Sequence, residues 1–326
     1  MRMVLDMDTG VDDAIAIALA LGSRDVDVVA ITSVAGNVPV ELCTRNCLLL
    51  NELLGGSAVV AAGSDRPLAK HLLTASEVHG ADGLGGRAGS LPEPSTHPTD
   101  EPAHELLTRL PLERPDEITL VTTGPLTNVA LALRANPDAV ASYSRIIAMG
   151  GAFDVPGNTG PVAEFNVYVD PEAADVVLSS GLDITLVPLD ATTGAVLMRS
   201  ALETRERSRG LPADRPGRDL AAVLHRALDH YMEFQFNESG LDGGYMHDPL
   251  AVAAALDPGI LETRDLHVGV VTNGPDRGRT VRAPAQANAA TQSRGVRVAF
   301  GHDDSAFRQL LEERVLRPVF GPSPTP

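Results

Sequence analysis

Residues 3–21 read MVLDMDTGVDDAIAIALAL, which is an apolar strand-like run, a turn and an apolar helix-like run in immediate succession. Residues 3–7 have the composition of a buried strand, Gly10 permits a tight turn, and residues 12–22 have the composition of a helix. A strand that passes through a short turn into a helix is typical of the opening unit of an α/β fold. Four aspartates lie where this strand ends and the helix begins, at positions 6, 8, 12 and 13.

This aspartate cluster is larger than helix capping requires. Asp12 or Asp13 can cap the helix and face its positive end, which accounts for one of the acids. Asp6 and Asp8 alternate with apolar neighbours, so both point to the same side of the strand. Carboxylates buried this close together must share protons or be neutralised by a cation. A hard divalent cation with oxygen ligands is the economical explanation, although the spacing does not match an EF-hand loop.

The rest of the chain repeats the alternation of strand and helix. Strands are predicted at 3–7, 27–34, 58–62, 117–122, 145–149 and 183–189, and helices at 12–22, 40–54, 103–110, 125–134, 171–180 and 218–236. Continuous β-branched runs between amphipathic helices indicate a mostly parallel, open, Rossmann-like α/β sheet with helices on both faces. We expect one domain over residues 1–320 and a disordered tail over 321–326, whose sequence is GPSPTP.

Composition limits the classes of partner and location. The formal net charge of −17 argues against a nucleic-acid partner, because binding to phosphates needs a clustered basic surface. No run approaches the ~18 consecutive apolar residues of a membrane span, and the amino terminus lacks the long apolar core of a secretory signal. We therefore expect a cytoplasmic protein with no membrane contact. Cys43 and Cys47 lie four residues apart in a predicted helix and are expected to be unreactive thiols rather than half of a metal site.

Polar residues follow most of the predicted strands. Asn37 follows the second strand, Thr122 and Thr123 end the fourth, and Asp190 follows the sixth. Ligands of an open parallel sheet bind beyond the carboxyl ends of its strands, so a polar crevice is expected there.

Two later segments add candidate residues. Asp248 begins a predicted helix in YMHDPLAVAAAL, where it is either an N-cap or a metal ligand, and His247 precedes it. Glu164 and Asn166 lie two apart in a stretch that reads as extended, so they would share one face. Spacing alone leaves open whether these two bind sugar hydroxyls or stand exposed in a loop.

The sequence resembles that of the nucleoside hydrolases. The opening segment is similar to their signature Asp-x-Asp-Pro-Gly-x-Asp-Asp-Ala. The similarity continues, in the family's order over residues 3–256, through AITSVAGN, VHGADGLGG, LVTTGPLTNVALAL, IIAMGGAF, VAEFNVYVDPEAA, VPLDATT and HDPLAVA. Thr9 replaces the usual proline, which should loosen the turn. The absence of tryptophan argues against the subtype that stacks tryptophans on purines, and the inosine-uridine preferring type is the better match.

The resemblance implies a site residue by residue. It implies a calcium ion with ligand positions at Asp8, Asp13, the carbonyl of Thr123, and Asp248. It implies that the substrate-binding residues are Asp12, Asn37, His79, Met149, Asn158, Glu164 and Asn166. Asp8 also matches the base that deprotonates the attacking water, and His247 matches the histidine that protonates the departing nucleobase.

The implied activity is hydrolysis of the N-glycosidic bond of ribonucleosides to free nucleobase and ribose, by a calcium-bound water that Asp8 activates. The family also implies a small-molecule nucleoside substrate, a role in nucleoside salvage and a homodimer or homotetramer. One alternative is a ribose- or nucleoside-binding protein without catalysis on the same fold. The other is a phosphohydrolase similar to the haloacid dehalogenases, but that class needs a lysine after its threonine motif, and the chain's single lysine, Lys70, comes too early. The sequence leaves the preferred nucleobase and the role of Asp6 open.

Overall fold

The computed structural model describes residues 1–86, 92–160, 162–209, 219–283 and 295–321. Twelve strands lie in this part of the chain: β1 Arg2–Met7, β2 Asp27–Ser33, β3 Val59–Ala61, β4 Ile118–Thr122, β5 Arg145–Met149, β6 Ile184–Val187, β7 Val196–Met198, β8 Gly243–Tyr245, β9 Leu261–Leu266, β10 Val268–Val270, β11 Thr280–Arg282 and β12 Val296–His302. The predicted tail lies, apart from Gly321, outside the described residues.

The helices of the same residues cover both faces of the sheet. They are α1 Val11–Leu21, α2 Val40–Leu53, α3 Ser76–His79, α4 Ala103–Glu113, α5 Thr127–Ala135, α6 Pro137–Ala141, α7 Phe165–Val169, α8 Pro171–Leu178, α9 Leu189–Thr192, α10 Arg199–Arg209, α11 Leu220–Ser239, α12 His247–Leu256, α13 Asp304–Leu311 and α14 Arg317–Phe320. A 3-10 turn, Pro258–Ile260, and a π-helical turn, Glu312–Leu316, complete the set. No helix among these residues is long and apolar enough to cross a membrane.

The central sheet has eight strands in the order β3-β2-β1-β4-β5-β6-β12-β9. All neighbouring pairs are parallel except β12 and β9, which run antiparallel. The predicted mostly parallel, open, Rossmann-like sheet is therefore confirmed. The sheet strands β9 and β12 and the antiparallel pairs β7–β8 and β10–β11 were not predicted, because their segments are short or interrupt their apolar residues with charged and glycine residues.

The core consists of two layers, one on each face of the sheet. Met3, Leu5 and Met7 pack into one layer with α1, α2, α11 and α12, while Val4 packs into the other with α4, α5 and α8. This is the alternation that the sequence of β1 predicts. The strand is buried on both sides, as expected for a parallel sheet. Its carboxyl end therefore lies deep in the protein, and the four aspartates with it.

Candidate active site

The candidate site lies where the strand order reverses. The chain proceeds from β1 to β2 on one side and later returns to β4 on the other, so a crevice forms beyond the carboxyl ends of these strands. Asp8 follows β1, Asn37 follows β2 and Thr123 follows β4, and all three are buried. The structure thus brings together three residues that are far apart in the sequence.

Asp8 lies between the loops that contain Gly36 and Gly124. Its Oδ2 atom accepts a hydrogen bond from the backbone N–H of Asn37 at 2.8 Å. A methyl group on Gly36 would lie 2.1 Å from that same oxygen, and one on Gly124 would lie 2.9 Å from the backbone nitrogen of Asp8. Glycine is therefore required at both positions for the loops to approach the carboxylate this closely. The other oxygen, Oδ1, is buried and has no hydrogen-bond partner among the described residues.

Asp13 connects the three strand ends. Its Oδ1 accepts from the hydroxyl of Thr123 at 2.7 Å, and its Oδ2 accepts from the backbone N–H of Gly10 at 2.8 Å and from the side-chain amide of Asn37 at 3.2 Å. These bonds link the turn after β1 to the ends of β2 and β4. The Asp13 carboxylate is therefore fixed in position before any ligand binds.

A compact group of three carboxylates lies beside these residues. Asp12 and Asp13 in the first turn of α1 and Asp248 in the first turn of α12 offer ligand oxygens within 4.8 Å of one another, and all three are buried. The two helices pack against each other, which brings their amino termini together. This group of three differs from the ligand set that the family resemblance implies, because it contains Asp12 and not Asp8.

Burial and mutual repulsion raise the pKa values of these carboxyl groups. Burial, followed by the nearby charge of Asp13, raises the pKa of Asp12 to about 7. The pKa values of Asp8, Asp13 and Asp248 are also raised, in each case chiefly by burial. Four buried acids and the unpartnered Oδ1 of Asp8 form an oxygen-rich, electron-rich donor set. This set fits a hard divalent cation, which would replace the missing hydrogen bond and neutralise the repulsion.

Glu164 and Asn166 are buried beside this cluster, but not in the conformation that the sequence indicated. Residues 165–169 form the short helix α7 rather than an extended stretch, and the Glu164 carboxylate caps it by accepting from the N–H groups of Asn166 at 2.9 Å and Val167 at 3.1 Å. The Asn166 amide donates to the carbonyl of Thr123 at 2.6 Å and contacts the Met149 sulfur at 3.5 Å. The cap holds Glu164 against Asn166, and the Asn166 amide holds both residues at the end of β4.

Asn158 is placed differently from the other predicted residues. It is exposed, and its side-chain oxygen accepts from the N–H of Phe165 at 2.9 Å. It thus supports the start of α7, next to Glu164. No direct hydrogen bond joins it to the carboxylate cluster in the described structure.

His79 lies at the opposite side of the turn after β1. Its Nδ1 accepts from the backbone N–H of Val11 at 3.0 Å, and its ring stacks on Tyr231 with centroids 5.8 Å apart. Burial, followed by the nearby rings of His247 and His230, lowers the pKa of His79 to about 3. The imidazole is therefore neutral at physiological pH, with its hydrogen on Nε2.

His247 is half-buried at the start of α12. Its Nδ1 lies 2.7 Å from the hydroxyl oxygen of Thr192, and its ring stacks on Tyr245 with centroids 5.3 Å apart. Burial lowers the pKa of His247 to about 4. The ring is thus neutral near pH 7, and the near-neutral pKa of an exposed histidine does not apply to it.

Asp6 lies behind the cluster and is fully buried. Its Oδ1 accepts from the Thr32 hydroxyl at 2.6 Å and from the Asn128 amide at 2.8 Å, and burial raises the pKa of Asp6 to about 6. Asn128 also donates to the carbonyl of Ser33 at 2.8 Å. Asp6 therefore ties the end of β1 to β2 and α5.

Thr9 makes a buried side-chain contact in the turn after β1. Its hydroxyl oxygen lies 2.8 Å from the sulfur of Cys47, and both residues are buried. Burial raises the pKa of Cys47 to about 12, so the thiol stays protonated. Cys43 is likewise a buried free thiol, and burial raises its pKa.

Three residues at the site were not found from the sequence. Tyr231 stacks on His79, Tyr245 stacks on His247, and Thr192 contacts the His247 ring. Tyr231 lies within an ordinary amphipathic helix and Thr192 at the end of the four-residue helix α9, so neither has a local pattern that distinguishes it from packing residues.

Comparisons with known proteins agree with this geometry. The profile of the inosine-uridine preferring nucleoside hydrolase family matches residues 3–309. Two relatives named pyrimidine-specific ribonucleoside hydrolase RihA, from Salmonella newport (strain SL254) and Escherichia coli O81 (strain ED1a), are each 42% identical over 282 residues, covering 86% of this chain and 87% of theirs.

Solved structures agree as well. A plant nucleoside hydrolase, the PpNRh1 enzyme, superposes with a TM-score of 0.88 at 33% identity, covering 97% of this chain and 99% of its own. A purine-preferring ribonucleoside hydrolase from Gardnerella vaginalis superposes with a TM-score of 0.87 at 31% identity, covering 97% and 98%. The carboxylate crevice, the strand order and the match over nearly the whole length give one conclusion: the chain belongs to the inosine-uridine preferring nucleoside hydrolase family.

Proposed function

We propose that this nucleoside hydrolase acts on pyrimidine ribonucleosides and that calcium is its metal ion. The protein hydrolyses ribonucleosides to free nucleobase and ribose, which is the activity of its family. The pyrimidine preference is supported by the relatives named pyrimidine-specific, which are more similar in sequence to this chain than the purine-preferring structure is. The observation that carries the proposed metal ion is the buried carboxylate crevice with the unpartnered Oδ1 of Asp8.

The proposed calcium ligands are Asp8, Asp13, Asp248 and the carbonyl of Thr123. All four residues are buried at the ends of β1 and β4 and at the starts of α1 and α12. When bound, calcium supplies positive charge that orients ribose hydroxyls and lowers the pKa of a nearby water molecule. The carboxylates themselves need no rearrangement, because hydrogen bonds already fix Asp8 and Asp13.

Asp8 is the proposed general base. Its Oδ1 has no hydrogen-bond partner in the described residues, so this oxygen is available to take a proton from the attacking water. The N-glycosidic bond breaks through a transition state in which the ribose carries positive charge, and a floor of carboxylates stabilises that charge. Attack by water opposite the departing base predicts inversion at the anomeric carbon.

The remaining proposed contacts divide between sugar and base. The ribose contacts are expected from Asp12, Asn37, Met149, Asn158, Glu164 and Asn166. His247 is proposed to donate a hydrogen bond from its imidazole N–H to the departing nucleobase, in place of the full proton transfer that the family resemblance implies, and His79 is proposed to lie near that base. Both rings are neutral near pH 7, so each offers one N–H donor.

A panel of nucleosides tests the proposed substrate class. The protein is incubated with uridine, cytidine, inosine and adenosine in the presence of Ca²⁺, and chromatography identifies any free base. We expect uracil and cytosine to appear fastest. Faster release of hypoxanthine or adenine would contradict the pyrimidine preference, and binding of nucleosides without release of any base would support the non-catalytic alternative.

Three further properties stay predictions. One domain over residues 1–320 is supported by a sheet whose strands come from residues 2 to 302. A cytoplasmic location can be tested by cell fractionation. A homodimer or homotetramer can be tested by light scattering on the purified protein, and a monomer at micromolar concentration would contradict it.

A further inference from the structure

We propose that Thr192 is a positioning residue that holds the imidazole of His247 in one orientation with its hydrogen on Nε2. This inference rests on the proposed function, because it concerns the residue that is proposed to serve the departing base. The carrying observation is the 2.7 Å contact between the Thr192 hydroxyl oxygen and Nδ1 of His247.

Thr192 is placed for this contact by the end of the sheet. It is the last residue of α9, which begins directly after β6, and it is completely buried. His247 comes from the first turn of α12, 55 residues later in the chain. The contact therefore joins two elements that meet only in the folded protein.

The neighbouring threonine, Thr193, makes a different kind of contact. The hydroxyl of Thr193 donates to the carbonyl of Leu189 at 2.8 Å, which is an ordinary bond within a helix. The hydroxyl of Thr192 has the His247 ring as its partner in the described residues. The carbonyl four residues before it, that of Pro188, already accepts the N–H groups of Ala191 at 2.9 Å and Thr192 at 3.1 Å.

The direction of the hydrogen bond fixes the tautomer. The 2.7 Å contact itself allows either direction, but the Thr192 hydroxyl is buried and no other acceptor for its hydrogen is found among the described residues, so the hydroxyl is assigned as the donor and Nδ1 as the acceptor. A neutral imidazole that accepts at Nδ1 carries its hydrogen on Nε2. Tyr245 stacks on the face of the ring at 5.3 Å, so rotation out of this plane is also restricted. One hydrogen bond and one aromatic contact thus leave Nε2–H as the free donor.

The Nε2–H donor of His247 speeds the reaction only when the departing group is unstable as an anion. As the N-glycosidic bond breaks, its electron pair passes to the base, the oxygen of water bonds to the anomeric carbon, and the water proton passes to Asp8. A hydrogen bond from Nε2–H stabilises the negative charge on the base, which then takes a proton from solvent, while Asp8 returns its proton to solvent. A 4-nitrophenolate leaving group is stable as an anion and does not need this donor.

Two substrates therefore test the role of Thr192 in the intact enzyme. For Thr192→Val, which removes the hydroxyl and keeps the shape, we expect kcat on uridine to fall by about 10-fold to 100-fold, the effect of a misplaced reacting group. Turnover of 4-nitrophenyl β-D-ribofuranoside should be unchanged. Thr192→Ser should restore most of the uridine activity, and the matched control Thr193→Val should turn over both substrates like the parent protein.

The comparison with His247→Ala separates the two levels of the proposal. If His247→Ala loses uridine activity selectively and Thr192→Val does not, or if Thr192→Val lowers both substrates equally, the positioning role is overturned. If His247→Ala itself keeps full uridine activity, the assignment of the leaving-group residue under the proposed function is wrong, and the role of Thr192 is overturned with it.

Discussion

The two carboxylate oxygens of Asp8 have different surroundings. One of its oxygens is tightly bonded to the backbone of Asn37, while the other is buried without a partner. An unsatisfied buried carboxylate oxygen is costly, so such an atom indicates a ligand, a reactive role or both. The burial that raises the pKa of Asp8 also raises its basicity, which suits proton abstraction.

Replacement of this carboxylate tests its role directly. Asp8→Asn keeps the shape but cannot accept a proton, so we expect kcat on uridine to fall by about 10³-fold, within the range of general base catalysis. Asp138→Asn, at an exposed position on α6, is the matched control and should keep full activity. Near-parental kcat for Asp8→Asn in a steady-state assay would rule out Asp8 as the base.

Thr9 carries a second prediction at this scale. Thr9→Val removes the hydroxyl that contacts Cys47 in a buried position, and we expect the free energy of unfolding to fall by about 1 kcal/mol. Thr9→Ser keeps the hydroxyl and should lose less. Urea denaturation measures both, and equal stability of Thr9→Val and the parent protein would show that the contact does not stabilise the turn.

At the scale of elements, the site is built from strand ends and helix starts. The turns after β2 and β4 reach Asp8 because Gly36 and Gly124 have no side chains. The first turns of α1 and α12 add Asp13 and Asp248, which face the positive ends of their helices. β1, β4, α1 and α12 supply the oxygens, the turn after β2 supplies N–H donors to Asp8 and Asp13, and no element could form the cluster alone.

The turn after β2 can be tested by adding one methyl group. In Gly36→Ala the new carbon would lie 2.1 Å from Oδ2 of Asp8, so the loop or the carboxylate must move. Overpacking of this kind costs about 1–3 kcal/mol, and we expect Ca²⁺ affinity to fall by at least about tenfold. Gly269→Ala in β10, where the new carbon would meet only ordinary contacts of 3.4 Å and 3.8 Å, is the control for calorimetric titration, and unchanged affinity in Gly36→Ala would contradict the close approach.

The elements also show what the sequence could predict. All six predicted strands exist in the sheet within one or two residues of their predicted ends, because each is a continuous apolar run. Helix α7 was missed, because five residues between a capping glutamate and Asp170 are too few to show a helical period. The aspartates were found because acids at a buried strand end conflict with packing. Thr192 and Tyr231 lie in segments with no such conflict, and only their contacts in the fold distinguish them.

For the whole molecule, the carboxylate crevice couples metal binding to pH. Burial raises the pKa of Asp12 from 3.8 to about 7, so the metal-free protein is relatively stabilised by protonation at low pH and loses that contribution as the pH rises through 7. Burial also raises the pKa values of the proposed ligands Asp8, Asp13 and Asp248, and a cation bound to them must displace any protons that they carry. Ca²⁺ should therefore bind more tightly at pH 8 than at pH 5.

Thermal unfolding checks this linkage. We expect the rise in Tm caused by excess Ca²⁺, relative to a chelator, to be larger at pH 8 than at pH 5, because fewer protons compete with the ion. Magnesium is a useful comparison, since its stricter octahedral geometry should give a smaller rise. Equal Tm increments at the two pH values would show that the raised pKa values do not belong to the metal site.

The most direct test of the whole account is removal and return of the metal. The protein is stripped with a strong calcium chelator, its metal content is measured, and release of uracil from uridine is followed before and after Ca²⁺ is added. The account predicts that hydrolysis is lost with the ion and restored by calcium in the parent protein, but not in Asp13→Asn. Full hydrolysis of uridine by protein shown to contain no divalent metal would contradict it.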